Sequence, residues 1–226
     1  MIYSVKKPKQ VDLDDMITLN PVIGCSIGCP YCYARKMNQR FKFIPDFSIP
    51  TERPKALERL KSIHNKTIFM TSMSDFSGWS QEWREFVFNE MKRNMSNQYL
   101  FLTKNPKKLA GFDCLDMNNV WIGVTVTRNM DVHRINEMTN LIKSRHYWVC
   151  FEPLHEDIKA ISPSLKGKLD WVVIGNESGI RAGKIDAPDS WILNLSDQFP
   201  NTPVCIKERL KERLGDSWRN EYPNEF

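Results

Sequence analysis

The chain has 226 residues, 41% of them hydrophobic, so it is long enough to bury a sizeable core and too long for a miniprotein held together by disulfides. Its 32 Lys and Arg against 27 Asp and Glu give a net charge of +5, a mild basic bias that is typical of a solvated surface. Residues 1–15 are polar, with a basic stretch at residues 6–10, so we expect no signal peptide, no membrane segment and a cytoplasmic, reducing location.

Short apolar strands alternate with helical stripes along the chain. The strands are apolar on both faces, which is typical of a parallel sheet covered by helices. Six or seven such units are too few for a closed eight-stranded barrel, so the pattern predicts an α/β fold, a partial (βα)6-type TIM barrel. The predicted strands are residues 16–23, 67–71, 99–103, 119–127, 147–151, 171–175 and 202–206. The predicted helices are residues 33–40, 83–91, 106–109, 132–142, 157–165 and 188–199.

The remaining segments predict loops and termini. Residues 41–54 contain three prolines and no clear period, so we predict a long surface loop that Phe41, Phe43 and Phe47 fasten to the body of the protein. We see no repeat, linker or second domain. The sequence therefore predicts one domain over residues 1–226, with a basic entry segment at 1–15 and a charged tail at 207–226 that closes one end.

Three cysteines, Cys25, Cys29 and Cys32, fall in a turn rich in Gly and Pro directly after the first predicted strand. Three thiolates this close can ligate a soft metal centre. A cubane iron–sulfur cluster normally takes four thiolates, so a set of three would leave one iron free to bind something else. A zinc site stays open as the alternative, although zinc needs a fourth ligand and the next histidine is the distant His64.

The C-x3-C-x2-C spacing, with the aromatic Tyr31 directly before the last cysteine, resembles the radical S-adenosylmethionine superfamily. The resemblance implies that Cys25, Cys29 and Cys32 hold a [4Fe–4S] cluster, that S-adenosylmethionine chelates the open iron, and that Tyr31 lies against the adenine. It also implies cleavage of S-adenosylmethionine to a 5′-deoxyadenosyl radical that abstracts substrate hydrogen, with an external electron donor of the flavodoxin or ferredoxin type. The chain also resembles an uncharacterised phage- and plasmid-associated branch of the superfamily that has affinity to spore photoproduct lyase. The tracts that carry this resemblance are residues 20–25, 72–75, 102–104, 120–125, 151–154 and 174–179. The resemblance does not supply the substrates of that branch.

Polar residues follow the predicted strands, at the ends where active sites of parallel βα proteins lie. After the second strand, Ser72, Ser74 and Asp75 stand where the superfamily often has a Gly-Gly-Glu motif that contacts the methionine ammonium. The alternative is a turn that caps a helix. Lys104, after the third strand, is placed to pair with the methionine carboxylate, or it faces solvent.

The fourth and sixth strands add further candidates for cofactor binding. Alternation places Gly123, Thr125 and Thr127 on one face, where the glycine leaves room and the hydroxyls can reach a ribose. Asn176 and Glu177 lie in a flexible turn after the sixth strand, which suits contacts to adenine or substrate.

The fifth strand places Cys150 and Glu152 on one face, and Cys205 lies on the last strand. A carboxylate at that position needs a partner or a ligand hydroxyl. Cys150 and Cys205 are candidates for hydrogen-atom donation, although buried cysteine is usually inert packing. The scattered positions of these two and Cys114 speak against a second cluster.

Three functions stay open at this point. The leading one is a radical enzyme that acts on a nucleotide, a nucleic acid or another small metabolite. The second is a non-catalytic iron–sulfur or zinc protein. The third is a nucleic-acid-binding module in which the metal loop staples a basic surface, because basic and aromatic residues interleave over residues 35–43.

Overall fold

The structure, a computed structural model, describes residues 16–178 and 183–224; the basic entry segment at 1–15 lies outside them. Short strands alternate with helices throughout this part of the chain. The strands are β1 (Ile17–Thr18), β2 (Val22–Ile23), β3 (Thr51–Glu52), β4 (Thr67–Phe69), β5 (Gln98–Thr103), β6 (Val120–Thr125), β7 (His146–Phe151), β8 (Trp171–Ile174) and β9 (Val204–Ile206). The α-helices are α1 (Tyr33–Phe41), α2 (Pro54–Glu58), α3 (Gln81–Lys92), α4 (His133–Leu141), α5 (Pro163–Lys166), α6 (Asp189–Asp197) and α7 (Lys211–Leu214).

Seven of these strands form one parallel sheet in the order β1-β4-β5-β6-β7-β8-β9. Each new strand is added beside the preceding one, so the sheet is wound in a single direction and curls into a half-barrel. This confirms the predicted partial TIM barrel. None of the helices in the described ranges is both long and apolar enough to span a membrane.

The two faces of the sheet bury different side chains. One face, which includes Ile122 and Val124, packs against the helices, and together with helix residues such as Leu195 of α6 it forms a large continuous core. The inner face of the curl is filled by Trp121, Trp148 and Trp171 with their neighbours. Burial on both faces explains why the strands read as continuous apolar runs, because alternation appears only where one face meets water.

The predicted first strand, residues 16–23, is wrong as a single element. It divides into β1, which joins the sheet beside β4, and β2, which pairs antiparallel with β3. Pro21 lies between the two and cannot donate a ladder hydrogen bond, while its carbonyl accepts from the Arg53 backbone at 2.7 Å. The cysteine loop therefore begins directly after β2, outside the main sheet, and lies between the two strands of this small antiparallel pair.

The segment after α1 is folded back on the helix by one side chain. Buried Asn38 donates to the Ile44 carbonyl and accepts from the Ile44 backbone, both at 3.0 Å. Phe47 is buried as predicted, but Phe41 and Phe43 are exposed, so the prediction that all three fasten the segment is wrong for these two. The hydrogen bonds of Asn38, and not the rings of Phe41 and Phe43, hold the segment against the helix.

The last part of the charged tail, residues 218–224, covers the amino end of the half-barrel. After α7 the chain returns to the free edge of β9, where Ile206 donates to the Arg219 carbonyl at 2.8 Å and Glu221 donates to that of Val204 at 3.0 Å. Tyr222 then packs on Trp171, the first residue of β8, with ring centroids 5.9 Å apart. With one end closed, the inner face is open at the carboxyl ends of the strands.

Candidate active site

A cavity of about 360 Å³ lies where the carboxyl ends of the strands meet the cysteine loop. It is lined by residues at or just after the carboxyl ends of five successive strands, β4 to β8, and by Lys207 after β9. Among the residues singled out from the sequence, the described structure places these on its wall: Cys25, Cys29, Tyr31, Cys32, Ser72, Ser74, Asp75, Lys104, Thr125, Cys150, Glu152, Asn176 and Glu177. Sequence reasoning thus brought together side chains that the fold also brings together.

The cysteine loop is fixed against the turn after β4. Gly24 donates to the Met73 carbonyl at 3.0 Å, and Cys25 donates to that of Phe47 at 2.7 Å. Gly24 has φ +109°, and a Cβ there would lie 2.5 Å from the Ile49 carbonyl oxygen. Only glycine fits at this position, where the loop leaves β2.

Cys25, Cys29 and Cys32 are free and half-buried on the cavity wall. Burial raises the pKa of the Cys25 thiol to about 11. Such a thiol is readily ionised when a metal cation binds, because the cation supplies the charge that the surroundings lack. Three thiol donors from one loop are the ligand set of an iron–sulfur cluster with one open iron, so the residues fit that group.

Within the described ranges, no three His, Cys, Asp or Glu side chains converge on a point where a single metal ion would bind. A cubane cluster does not require such convergence, because each thiolate binds a different iron. Cys32 also caps α1, since its Sγ accepts from the Arg35 backbone at 3.4 Å.

Tyr31 lines the cavity and lies close to His155 and Lys104. Its ring meets that of His155 edge to face, with centroids 5.0 Å apart at 86°, and Lys104 Nζ lies 6.0 Å from the ring centre. Burial raises the pKa of Tyr31, and the nearby Cys29 thiol adds to the effect. The tyrosine therefore stays neutral and offers a ring face or edge to a ligand.

His155 is a residue that sequence reasoning missed. Its Nε2 lies 3.2 Å from Glu177 Oε2, and both side chains are only 3% exposed. Nδ1 is buried, and no hydrogen-bond partner for it is present in the described structure. The available signal was position, since His155 follows β7 at the same end of the sheet as Glu152.

Asp75 is fully engaged by protein donors. It accepts from the Ser77 hydroxyl and the Thr103 hydroxyl at 2.7 Å each, and from the backbones of Ser77 at 3.0 Å and Lys104 at 2.8 Å. It caps the 3-10 turn Phe76–Gly78, which is the alternative that the sequence left open. Contact of Asp75 with a methionine ammonium stays a prediction.

The neighbouring serines keep hydrogen-bonding capacity toward the cavity. Ser72 Oγ donates to Asn20 Oδ1 at 2.9 Å, which leaves its lone pairs available. Ser74 Oγ accepts from Trp79 Nε1 at 2.9 Å, which leaves its proton available. The Ser72 hydroxyl can therefore accept a hydrogen bond from a ligand, and the Ser74 hydroxyl can donate one.

Lys104 directs its ammonium into the cavity. Its Nζ lies 3.4 Å from Thr125 Oγ1, and among the described residues no carboxylate comes within 4.0 Å of it. An ammonium in this position, beside the cysteine loop, attracts an anionic ligand group.

Gly123, on the fourth predicted strand, leaves space that the Trp148 side chain fills. A Cβ on Gly123 would lie 2.4 Å from Trp148 Nε1, so the expectation that this glycine leaves room for a ribose is wrong. Thr127 lies off the main cavity, where its hydroxyl donates to Asp131 Oδ2 at 2.8 Å. Thr125 is the member of the set that reaches the cavity.

Glu152 is held between two cations. Its Oε1 accepts from Arg209 Nη2 at 3.0 Å, and Oε2 lies 3.7 Å from Lys207 Nζ. Gly175 makes room for it, because a Cβ there would lie 2.8 Å from Glu152 Cδ. The carboxylate thus has the partners that the sequence led us to expect, supplied by the segment after β9.

The two candidate hydrogen-atom donors occupy different places. Cys150 lines the cavity, and burial raises the pKa of its thiol to about 12. Cys205 packs with the inner tryptophans, 3.5 Å from Asn220 Oδ1, and within the described structure it is not part of the cavity wall.

Asn176 fixes the turn after β8, since its Oδ1 accepts from the Ala187 backbone at 3.2 Å.

Comparison with known proteins places the chain in a family. A family model described as a protein of unknown function (DUF5131) matches residues 13–206. No curated protein matches the chain. A solved structure of a spore photoproduct lyase mutant is similar over 98% of this chain and 79% of that chain, with 10% sequence identity and a TM-score of 0.46, a likeness too low to support an argument about function. The chain belongs to the DUF5131 family of proteins of unknown function.

Proposed function

We propose that the protein is a radical S-adenosylmethionine enzyme. The observation that carries the proposal is that three free thiols of one loop share a cavity with charged and hydroxyl side chains from the ends of successive parallel strands. A cavity of about 360 Å³ falls within the range of small-molecule and cofactor sites.

Cys25, Cys29 and Cys32 would hold a [4Fe–4S] cluster with one iron open. When bound, the cluster and S-adenosylmethionine supply a 5′-deoxyadenosyl radical for hydrogen abstraction, with electrons from an external donor of the flavodoxin or ferredoxin type. The chain itself supplies binding, orientation and a site that excludes water.

Lys104 and Ser72 would bind the methionine end of the cofactor. The Lys104 ammonium neutralises a carboxylate, and the free lone pairs of the Ser72 hydroxyl accept from an ammonium. Tyr31, whose ring packs edge to face against His155, would present its ring to the adenine. Thr125 and Glu152 remain for hydroxyl groups of the ribose or of the substrate.

The inner wall would keep the reacting volume dry. Trp148 and Trp171 line the floor of the cavity, where their indole N–H groups are already bound to protein carbonyls. Cys150 stands on this floor as a buried neutral thiol, the form that can give up a hydrogen atom.

The test is anaerobic reconstitution of the whole chain with iron and sulfide, followed by S-adenosylmethionine and a strong reductant. We expect a brown chromophore and release of 5′-deoxyadenosine. Protein that binds zinc without a chromophore, or that forms a cluster but never cleaves S-adenosylmethionine, would overturn the proposal and leave a structural metal protein.

A further inference from the structure

Exposed apolar side chains are concentrated beside the cysteine loop. Of the ten large hydrophobic residues exposed in the described structure, six lie within residues 27–49. Phe41 is 53% exposed and Phe43 is 43% exposed, and their rings lie 5.6 Å apart. We call the following group the aromatic platform: Tyr33, Met37, Arg40, Phe41, Lys42 and Phe43.

The aromatic platform carries only positive charge. Residues 31–45 contain Arg35, Lys36, Arg40 and Lys42 and no Asp or Glu. The Arg40 guanidinium lies 5.0 Å from the Phe41 ring centre, so charge and ring face are presented together. A partner that fits this surface has flat apolar groups and negative charge at close intervals.

The platform is also held in shape. The two hydrogen bonds from Asn38 to Ile44 fix the turn that carries Phe41 and Phe43, and Lys42 adopts the left-handed conformation with φ 53° at the end of α1. These rings do not fasten the segment, because buried Phe47 and Asn38 do so. Exposed aromatic rings on a preorganised turn lose little conformational freedom when they bind.

The platform leads into the candidate active site. Tyr33 lines the cavity and its hydroxyl donates to the Ser72 carbonyl at 2.5 Å. Met37 and Phe41 follow it at four-residue intervals on α1, so the three lie along one side of the helix. A chain laid along this side would reach the cavity mouth at Tyr33.

We propose that the aromatic platform binds a single-stranded segment of nucleic acid, with bases stacked on Phe41 and Phe43 and phosphates beside Arg40 and Lys42. Bases supply flat apolar faces and the backbone supplies one negative charge per nucleotide, which matches both properties of the surface. The substrate class of the proposed radical enzyme is then a nucleic acid whose reacting nucleotide enters the cavity unpaired. This substrate role rests on the proposed function, but binding itself does not.

A duplex fits the platform less well. In a duplex the bases are stacked on each other, and an enzyme that acts on one base must extrude it or use a single strand. The rings of Phe41 and Phe43 can stack only on bases that are already unstacked. Single-stranded ligand should therefore bind more tightly than duplex of the same sequence.

The test measures binding of a fluorescein-labelled oligothymidine of about 15 nucleotides, long enough for the usual single-strand site. We expect Phe41→Ala and Phe43→Ala to weaken affinity by about tenfold each, because each removes a stacking face. Arg40→Gln combined with Lys42→Gln should lower the slope of log affinity against log salt by about 1.4, since each phosphate contact contributes about 0.7.

Matched controls come from elsewhere on the surface. Phe86→Ala removes an exposed ring on α3, and Lys66→Gln combined with Lys168→Gln removes two exposed charges that precede β4 and β8, at the opposite end of the sheet. These variants should keep wild-type affinity. Circular dichroism of every variant separates lost binding from lost folding.

Equal oligonucleotide affinity in wild type and the Phe41 and Phe43 variants, or no binding at all, overturns the proposal. So does a result in which these variants slow reduction by an acidic flavodoxin while oligonucleotide affinity is unchanged, because the platform then serves the electron donor. Iron content and 5′-deoxyadenosine release are measured in parallel. Oligonucleotide binding by protein that forms no cluster would contradict the proposed radical enzyme and still support the binding site on the aromatic platform. Release of 5′-deoxyadenosine by protein that binds no oligonucleotide would support the enzyme and contradict the binding site.

Discussion

The backbone N–H of Lys104 donates to Asp75 Oδ2 at 2.8 Å, which joins the residue after β5 to the turn after β4. The same carboxylate accepts from the Thr103 hydroxyl at 2.7 Å. A lysine whose ammonium faces the cavity is thus held at its backbone by a buried acid. The position of the candidate carboxylate-binding group depends on this contact rather than on the strand alone.

Asp75→Asn should lower the free energy of unfolding by about 2–4 kcal/mol, because an amide turns a donor toward groups that are themselves donors in a buried site. Denaturation in urea measures the change. Asp46→Asn is the control: that carboxylate is exposed and, among the described residues, its hydrogen bonds go to Ser48 alone, so its loss of stability should be much smaller. Equal losses in the two variants would show that the Asp75 contacts contribute little.

Lys104→Met should weaken S-adenosylmethionine binding by about tenfold or more, since a charge-assisted hydrogen bond contributes about 1.5–3 kcal/mol. Equilibrium dialysis against the reconstituted protein measures it, and the thermal midpoint should barely change. Lys108→Met removes a nearby exposed charge and should leave the affinity as it is. Loss in both variants would point to general electrostatics instead of a contact.

Cys29→Ser should abolish iron loading and the chromophore, because a cluster held by two thiolates is not retained. Cys114→Ser should not, since Cys114 is 1% exposed and its thiol faces the Lys143 carbonyl, away from the cavity. Iron analysis and absorption spectra of the two purified variants are sufficient. Full loading of the Cys29 variant would remove the basis of the proposed function.

Gly123→Ala should destabilise the fold by about 1–3 kcal/mol, because the new methyl group would overlap the Trp148 indole within the packed inner face. Gly167→Ala is the matched case: its nearest neighbour would be the Pro163 carbonyl oxygen at 3.5 Å and its φ is −67°, so the change should be neutral or slightly stabilising. Thermal unfolding separates them. A Gly123 variant as stable as the wild type would mean that the Trp148 side chain moves aside without cost in stability.

Hydrogen bonds from Arg219 and from the Val204 backbone hold the pKa of Glu221 below its ordinary value of 4.5. Because the folded pKa is lowered, the carboxylate contributes stability above pH 4.5, and this contribution is lost as pH falls through the folded pKa. Wild type should therefore exceed Glu221→Gln by up to about 1 kcal/mol at neutral pH, with the difference vanishing in acid. Melting curves of both proteins across this range give the test, and a difference independent of pH would contradict it.

The sequence predicted the half-barrel and most of the cavity wall because both follow from local pattern. Apolar runs mark buried parallel strands, and the polar residues just after them necessarily meet at one edge of the sheet. This rule was sufficient to place Lys104 and Glu152 at the cavity. Pro21 could also have predicted the division between β1 and β2, since a proline within an apolar run argues against one continuous strand.

Other features depend on contacts between distant segments and leave no local trace. Trp148 fills the space above Gly123 from a neighbouring strand, so alternation alone mistook a packing glycine for a ligand pocket. His155 gains its role from Glu177 and Tyr31, which lie 22 residues and more than a hundred residues away in sequence. The partners of Glu152 come from the segment that follows β9.

The return of the chain to the free side of β9 has a practical consequence for handling the protein. Truncation of the chain after residue 217 would uncover unpaired N–H and C=O groups along that strand, a template on which a second molecule can add its own strand. We expect such a truncated form to associate into oligomers and precipitate. Solubility of this protein then depends on a few residues of a tail that take no part in its chemistry.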